Sequence, residues 1–147
     1  MALFLLFIIL IFDFIFSIFL YEDITGYSNQ ITHPRIITHF IGPVLIAPFF
    51  ETLIFQVLFF KAGVRLSIPV FYILIVSSVL FSLCHRLNIF DLFFYFLRGV
   101  TIFYYYYLLI KKREKAFWYS FLLHSCYNFL IIFPYWVVIY MEEMCNI

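Results

Sequence analysis

Long apolar stretches alternate with short polar interruptions along the whole chain. Most of the stretches have about 20 residues, the number that an α-helix needs to cross a hydrocarbon core of about 30 Å. They cover residues 1–21, 37–61, 69–85, 89–110 and 116–141. The main polar interruptions are 22–36, 61–67, 86–88 and 111–115. The pattern predicts an all-α, polytopic helical membrane protein with about five transmembrane helices.

The composition supports a membrane protein and excludes several other classes. Hydrophobic residues make up 67% of the chain and charged residues 12%, whereas soluble domains average about 25% charged residues. The net charge of +1, with no basic face in the sequence, predicts no binding to nucleic acid. The 147 residues allow one domain. We divide it into an N-terminal transmembrane helix with its loop (1–36), a helical bundle (37–141) and a short tail (142–147).

Basic residues are distributed unevenly between the predicted loops. With five crossings, the N-terminus, the 61–67 turn and the 111–115 loop lie on one side of the membrane. That side carries six of the nine lysines and arginines, whereas the other side carries acidic pairs at 22–23 and 142–143. Because basic loops stay in the cytoplasm, the pattern predicts a multi-pass protein of the cell membrane. The N-terminus and the 111–115 loop are predicted to be cytoplasmic.

Among the polar side chains inside the apolar segments, four are candidates for a common site. Glu51 lies in the second segment, His85 ends the third, and His124 and Asn128 lie in the fifth. A charged side chain at the bilayer centre costs roughly 2.5–3.5 kcal/mol on insertion scales. Residues four apart share a helix face, so His124 and Asn128 project together, as do Phe81 and His85. Three helices could therefore bring a carboxylate, two imidazoles and an amide into one cavity.

This combination is sufficient in principle for hydrolysis of an amide bond. A carboxylate in an apolar cavity is a stronger base than one in water and can activate a water molecule that a histidine holds. The second histidine and the amide can donate hydrogen bonds to a developing oxyanion. Alternatively, Glu51, His85 and His124 could bind Zn²⁺ and leave a position open for water, as in a metalloprotease. The HExxH sequence, which places two histidines on one helix turn, is absent.

Each polar residue also has a purely structural interpretation. A single intramembrane histidine or asparagine commonly forms hydrogen bonds between helices. Arg98, in the fourth segment, could snorkel to the surface or pair with Asp91 or Glu51. Glu51 could also carry protons, as in a small proton-coupled transporter subunit. The combination of all four residues at these spacings favours a catalytic site over packing alone.

The order and spacing of these residues resemble a known family of intramembrane proteases. It is the family of CAAX proteases and bacteriocin-processing enzymes, called CPBP or Abi. Its motifs EExxxR, FxxxH and HxxxN or HxxxD occur in this order, each on its own transmembrane helix. Phe81 and His85 match FxxxH, and His124 and Asn128 match HxxxN. The resemblance covers about residues 40–135 and implies a CAAX-protease-like helical bundle.

The first motif departs from the family pattern. The aligned segment begins with Glu51 but has Thr52 for the second glutamate and Gln56 for the arginine; Pro48 precedes it, which fits the family. The missing glutamate and arginine are four residues apart and could pair on a helix. A buried ion pair can be exchanged for a neutral pair at little cost when both partners change. We therefore expect a hydroxyl–amide hydrogen bond between Thr52 and Gln56, with Glu51 retained as the base.

The resemblance implies an intramembrane endopeptidase. In such an enzyme, Glu51 and His85 would activate water, and His124 and Asn128 would stabilise the oxyanion. Supporting residues would be Thr52, Gln56 and Phe81. Implied partners are membrane lipid and a peptide or protein substrate, such as a lipidated C-terminus, a leader peptide or a bacteriocin-related peptide. The implied alternatives keep the fold without the activity: a catalytically inactive membrane scaffold or a bacteriocin self-immunity protein. No cofactor is required unless the protein uses Zn²⁺.

The predicted depths of the two histidines differ. At 1.5 Å per residue, five full crossings place His85 near the non-cytoplasmic end of its helix and His124 about 12 Å from the cytoplasmic end. The two side chains can meet only if the helices tilt or kink, if the third helix continues beyond Arg86, or if the fourth segment is partly re-entrant.

Overall fold

A computed structural model describes Ile11, residues 40–85 and residues 89–145. Within these residues the chain is helical except for its turns, which confirms the all-α prediction. The helices are α1 (Gly42–Arg65), α2 (Val70–Leu83), α3 (Ile89–Lys111) and α4 (Ala116–Cys145). Apart from Ile11, the predicted first transmembrane helix and its loop lie outside the described residues.

Three of the described helices contain segments long and apolar enough to cross a membrane. These segments are Gly42–Arg65, Leu92–Lys111 and Ala116–Phe133. α2 is apolar but has only 14 residues, which span about 21 Å and fall short of a hydrocarbon core of about 30 Å. Large apolar side chains are exposed on all four helices, as expected for surfaces in contact with lipid. The chain is a helical membrane protein, and its third predicted segment is shorter than a full crossing.

α1 is an irregular helix. It contains two π-helical stretches, Gly42–Ile46 and Thr52–Leu58, on either side of the α-helical turn that ends with Glu51. π-helical turns join residues five apart, so they can leave carbonyls without the donor that an α-helix supplies. Inside a membrane such a carbonyl needs a donor from the protein, because no bulk water is available.

One freed carbonyl of α1 is satisfied by α2. The N–H of Phe59 donates to the carbonyls of Gln56 and Ile54 and not to the carbonyl of Phe55, which it would reach in a regular α-helix. The hydroxyl of Ser77 donates to the Phe55 carbonyl instead. Since both groups are buried, this hydrogen bond fixes α2 against the helix that carries the candidate base.

α2 packs closely against α3 at Gly99. A Cβ atom at this position would lie 3.1 Å from Cα of Ser78 and 3.1 Å from Cδ1 of Phe81. Small residues let helix backbones approach closely within membranes. The contact therefore holds Phe81, and the turn with His85 that follows it, against α3.

We expect Gly99→Ala to lower the free energy of unfolding by about 1–3 kcal/mol, the usual range for overpacking a filled interior. The added methyl group meets the backbone of Ser78, which cannot rotate away, so the two helices must separate. Gly42→Ala is the matched control, since a Cβ atom there meets no described residue within 4 Å. Thermal unfolding in detergent, followed by circular dichroism, should give a lower Tm for G99A than for G42A. Equal melting temperatures would contradict the close α2–α3 contact.

The first residue of α4 packs beside the middle of α1, not beside the C-terminal end of α1. Ala116 lies in a buried cluster with Val57, Tyr106 and Leu109. Val57 precedes the end of α1 by about two turns. Glu51 lies about 9 Å from Val57 along α1, and His124 lies about 12 Å from Ala116 along α4. The offset brings His124 close to the depth of Glu51. Nε2 of His85 and Nε2 of His124 each lie within 3.4 Å of the Glu51 carboxylate, so the two histidines meet despite their predicted difference in depth.

Candidate active site

Glu51 contacts histidines from two other helices. One of its carboxylate oxygens lies 3.4 Å from Nε2 of His85, and the other lies 3.3 Å from Nε2 of His124. His85 follows α2 directly, and His124 lies in α4. The Glu51 and His85 side chains are 21% and 20% exposed, whereas His124 is 1% exposed. The cluster is therefore open beside Glu51 and His85 and closed behind His124.

The orientation of His85 is fixed by its own helix and by a neighbouring ring. Nδ1 of His85 donates a hydrogen bond of 2.7 Å to the carbonyl of Phe81. Because a carbonyl can only accept, Nδ1 carries the hydrogen of this bond. The imidazole also stacks on Tyr95 of α3, with ring centroids 4.3 Å apart. These contacts direct Nε2 of His85 toward the carboxylate of Glu51.

The ring of Phe81 supports both histidines. It is fully buried, and its centroid lies 4.4 Å from that of His85 and 5.8 Å from that of His124. Phe55 of α1 packs edge-on against the same ring at 5.5 Å. Through its ring and its carbonyl, Phe81 thus restrains imidazoles that come from two different helices.

The buried side of the cluster contains polar atoms without hydrogen-bond partners. Within the described residues, neither Nδ1 of His124 nor the Glu51 oxygen facing this histidine has a hydrogen-bond partner. Buried polar atoms are nearly always paired in folded proteins, and exceptions commonly mark functional sites. The cluster therefore has the capacity to bind a further polar group next to Glu51.

Asn128 is hydrogen-bonded to the backbone of α1. Its Nδ2 donates to the carbonyl of Pro43 at 2.8 Å. In a regular α-helix this carbonyl would accept from Ala47, but the N–H of Ala47 donates to Gly42. The next residue along the chain, Pro48, has no N–H to offer. The π-helical turn and the proline thus leave a carbonyl free, and Asn128 satisfies it.

This hydrogen bond ties α4 to α1 next to the cluster. Asn128 lies about one turn beyond His124, and Pro43 lies about two turns before Glu51. The bond therefore holds together the two helices that carry these side chains. An asparagine amide has two hydrogens, and this bond uses one of them. The role of Asn128 as an oxyanion donor stays a prediction.

We expect Asn128→Leu to lower the free energy of unfolding by about 1–3 kcal/mol, because it leaves a part-buried carbonyl in an apolar medium without a donor. Pro48→Ala supplies an N–H that can reach the same carbonyl. N128L should therefore cost less in the P48A background than in the wild type. Unfolding of the four proteins of this double-mutant cycle in detergent measures the coupling. Additive effects would contradict the link between Pro48 and Asn128.

The prediction of a hydrogen bond between the side chains of Thr52 and Gln56 is wrong. Both residues are buried, but Oγ1 of Thr52 has no hydrogen-bond partner among the described residues. With its nitrogen turned toward the backbone, the Gln56 amide donates to the carbonyls of Thr52 and Glu51, at 3.1 and 3.3 Å. The physical reason is local: the carbonyls of Thr52 and Glu51 lie about one turn before Gln56 on the same helix, within reach of its amide. Gln56 thus supports the backbone at Glu51 and does not reproduce the family's ion pair.

The three candidate zinc ligands do not form a metal-holding group. Within the part of the chain that the structure describes, no set of three or more His, Cys, Asp or Glu residues is arranged to hold a metal ion. The two histidine nitrogens face different oxygens of Glu51, whereas zinc ligands converge on one point. The zinc set of Glu51, His85 and His124 stays a sequence-based prediction.

Sequence reasoning missed two tyrosines beside the cluster. Tyr95 stacks on His85, and the guanidinium carbon of Arg98 lies 4.6 Å from the centroid of the Tyr95 ring. The same carbon lies 4.1 Å from the centroid of the Tyr127 ring. Two signals were present in the sequence. Tyr95 and Arg98 are three residues apart and share a face of α3, and Tyr127 falls inside the HxxxN motif.

Comparison with known proteins identifies the family. A family model described as type II CAAX prenyl endopeptidase Rce1-like matches residues 33–130, more than half of the 147 residues. No curated protein and no solved structure matches the chain. The matched region contains every residue of the FxxxH and HxxxN motifs, and it confirms the resemblance to CAAX proteases. The chain therefore belongs to the Rce1-like family of type II CAAX prenyl endopeptidases.

Proposed function

We propose that this protein is an intramembrane endopeptidase that cuts a peptide bond near the C-terminus of a prenylated protein or peptide. The observation that carries the proposal is the contact of one carboxylate, Glu51, with imidazoles from two other helices. The family supports a peptidase at the level of its class. A CAAX sequence ends the chain with a prenylated cysteine and three further residues, so the cut bond lies within or beside the last four residues.

In this proposal, Glu51 and His85 activate the attacking water. Water reaches the carboxylate from the open side of the cluster, where both side chains are partly exposed. Nε2 of His85 accepts a hydrogen bond from this water, since its Nδ1 hydrogen is engaged by the Phe81 carbonyl. Glu51 removes the proton as the water oxygen attacks the peptide carbonyl. Glu51 then returns this proton to the leaving amine when the tetrahedral intermediate collapses.

His124 stabilises the oxyanion that forms on the peptide carbonyl. Its Nε2–H donates from a position that is 1% exposed, where competition from bulk water is small. Asn128 holds α4 in place through the Pro43 carbonyl, and its second amide hydrogen is the candidate for a second donor to the oxyanion. Because these donors are fixed before the reaction, little reorganisation is needed as the negative charge develops.

Cleavage of a defined peptide tests this proposal. The full chain, reconstituted in phospholipid vesicles, should release a short C-terminal fragment from a farnesylated CAAX peptide, as detected by mass spectrometry. The same peptide without the lipid should be cut more slowly, because it does not partition into the bilayer. If no prenylated peptide, leader peptide or bacteriocin-related peptide is cut, the protein is not an endopeptidase of this type. Protection of cells from a bacteriocin that survives Glu51→Gln would favour the inactive immunity protein.

We also propose that the 111–115 loop lies on the cytoplasmic side of the cell membrane. All five of its residues are exposed, and Nζ of Lys111 lies 4.8 Å from the centroid of the Tyr107 ring. Aromatic and basic side chains are enriched together at cytoplasmic membrane surfaces. In a background with Cys84, Cys126 and Cys145 replaced by alanine, since two of these native cysteines are free and exposed, a cysteine placed at Glu114 should react with a membrane-impermeant maleimide in inside-out vesicles and stay unlabelled in intact cells. Labelling in intact cells would reverse the assigned orientation.

A further inference from the structure

Arg98 places a permanent positive charge beside the proposed catalytic cluster. It lies in the membrane-spanning part of α3 and contacts the rings of Tyr95 and Tyr127. Tyr95 in turn stacks on His85. An arginine inside a transmembrane helix is costly and commonly marks a functional site. The proposed hydrolysis uses no positive charge of this kind, so Arg98 is unexplained by it.

The surroundings of Arg98 suit the binding of a carboxylate. Contacts with two aromatic rings restrain the guanidinium through cation–π interactions. Its five N–H donors lie along its edges in a fork that matches the two oxygens of a carboxylate. The hydroxyl of Tyr127 adds a further donor, since Tyr127 is 5% exposed and its Oη has no hydrogen-bond partner within the described residues. Five donors allow the guanidinium to bind a carboxylate in addition to its existing contacts.

We propose that Arg98, together with the hydroxyl of Tyr127, binds the free α-carboxylate at the C-terminus of the substrate. The inference rests on the proposed function, in which the cut bond lies close to that carboxylate. Three extended residues span about 10 Å, and a single aromatic ring, Tyr95, contacts both the guanidinium and His85. A carboxylate held on Arg98 therefore positions a bond a few residues earlier beside Glu51. The anchor selects the cut site by its distance from the chain end.

Peptides that differ only at the C-terminus test this anchor. One prenylated peptide ends in a free acid, a second ends in an amide, and a third ends in an amide but has an aspartate side chain at its last position. Binding is measured to Glu51→Gln protein in vesicles, so that cleavage does not enter the result. We expect the acid to bind at least about tenfold more tightly than the plain amide, the lower end for a hydrogen bond between charged groups. Wild-type kcat/KM should show the same preference.

Three variants identify the group responsible for the preference. Arg98→Gln should bring the acid-to-amide ratio close to one, and Tyr127→Phe should reduce the ratio several-fold without removing the charge. Arg65→Gln is the matched control, because Arg65 is exposed at the end of α1 and should keep the wild-type ratio. A ratio near one in the parent protein would overturn the anchor. An R98Q protein that keeps the wild-type acid-to-amide ratio would also overturn it, even if its affinity for both peptides falls by the same factor.

The remaining outcomes separate the anchor from the proposed function. If the aspartate peptide binds as tightly as the free acid, the site recognises an acidic side chain and the α-carboxylate assignment is wrong. If the acid is preferred in binding but the wild type cuts no peptide, the anchor stands and the peptidase proposal fails. If the wild type cuts the acid and the amide equally well, the peptidase stands and the anchor fails.

Discussion

Glu51→Gln should lower kcat for peptide-bond hydrolysis by about 10²–10⁴-fold, the range that a general base contributes. Glutamine has the size and shape of glutamate but cannot accept the proton of the attacking water. The Glu51 side chain lies on the open side of the cluster and is 21% exposed, so a neutral amide at this position is not forced into a closed apolar pocket. The variant should therefore remain folded while it loses activity.

Initial rates of fragment release from the prenylated peptide measure this effect, and circular dichroism with thermal unfolding measures the fold. Glu114→Gln is the matched control, since Glu114 is an exposed glutamate in the turn between α3 and α4. It should keep the wild-type rate. An E51Q protein that cuts the peptide at the wild-type rate would remove Glu51 from the mechanism, even if the peptidase assignment survived.

Hydrophobic patterning was sufficient to predict the four described helices but not their inner structure. The fourth and fifth predicted segments begin where α3 and α4 begin, at residues 89 and 116, because charged and turn-forming residues precede both. α1 ends later than predicted, at Arg65, since an apolar pattern does not show where a basic helix end stops. The hydrogen-bond register inside α1 is independent of hydrophobicity, so the pattern could not reveal its π-helical stretches.

Motif spacing predicted which side chains could meet, because residues four apart share a helix face. It could not predict the contacts of Asn128 and Gln56. Both amides donate to carbonyls of α1, and the Pro43 carbonyl that Asn128 reaches needs a donor because a π-helical turn and a proline leave it without one. The sequence pattern also could not predict the offset between α1 and α4, since this offset depends on how Ala116 packs against Val57. Tertiary packing therefore decided the depth of His124 and the role of two of the predicted residues.

The irregular helix α1 is stabilised by side chains that donate hydrogen bonds to its main chain. At three places along this helix, side-chain donors supply main-chain carbonyls: Asn128 at Pro43, Gln56 at Glu51 and Thr52, and Ser77 at Phe55. Two of these donors come from other helices. In an apolar medium such bonds have no competition from water. They link the backbone around Glu51 to α2 and α4, which carry the two histidines toward it. The departure of Thr52 and Gln56 from the family motif is therefore compatible with a fixed position for the carboxylate.

His124→Ala should lower kcat by about 10²–10³-fold, the usual loss when one oxyanion donor is removed. In the proposed mechanism, His124 donates to the substrate oxygen mainly after the negative charge has developed. Its loss should therefore reduce kcat and kcat/KM by similar factors and leave KM nearly unchanged. The imidazole also packs against Phe81, so some loss of stability is expected in addition.

Ser125→Ala controls for that structural effect. Ser125 is the adjacent residue of α4, it is buried, and its hydroxyl has no hydrogen-bond partner among the described residues, so its removal should leave kcat unchanged. Because Glu51 contacts His124 directly, H124A should also reduce kcat less in the E51Q background than in the wild type, since groups that act as a unit are not additive. A rise in KM at constant kcat would instead assign His124 to substrate binding. Full additivity of the two substitutions would show that the carboxylate and the buried imidazole act on separate steps.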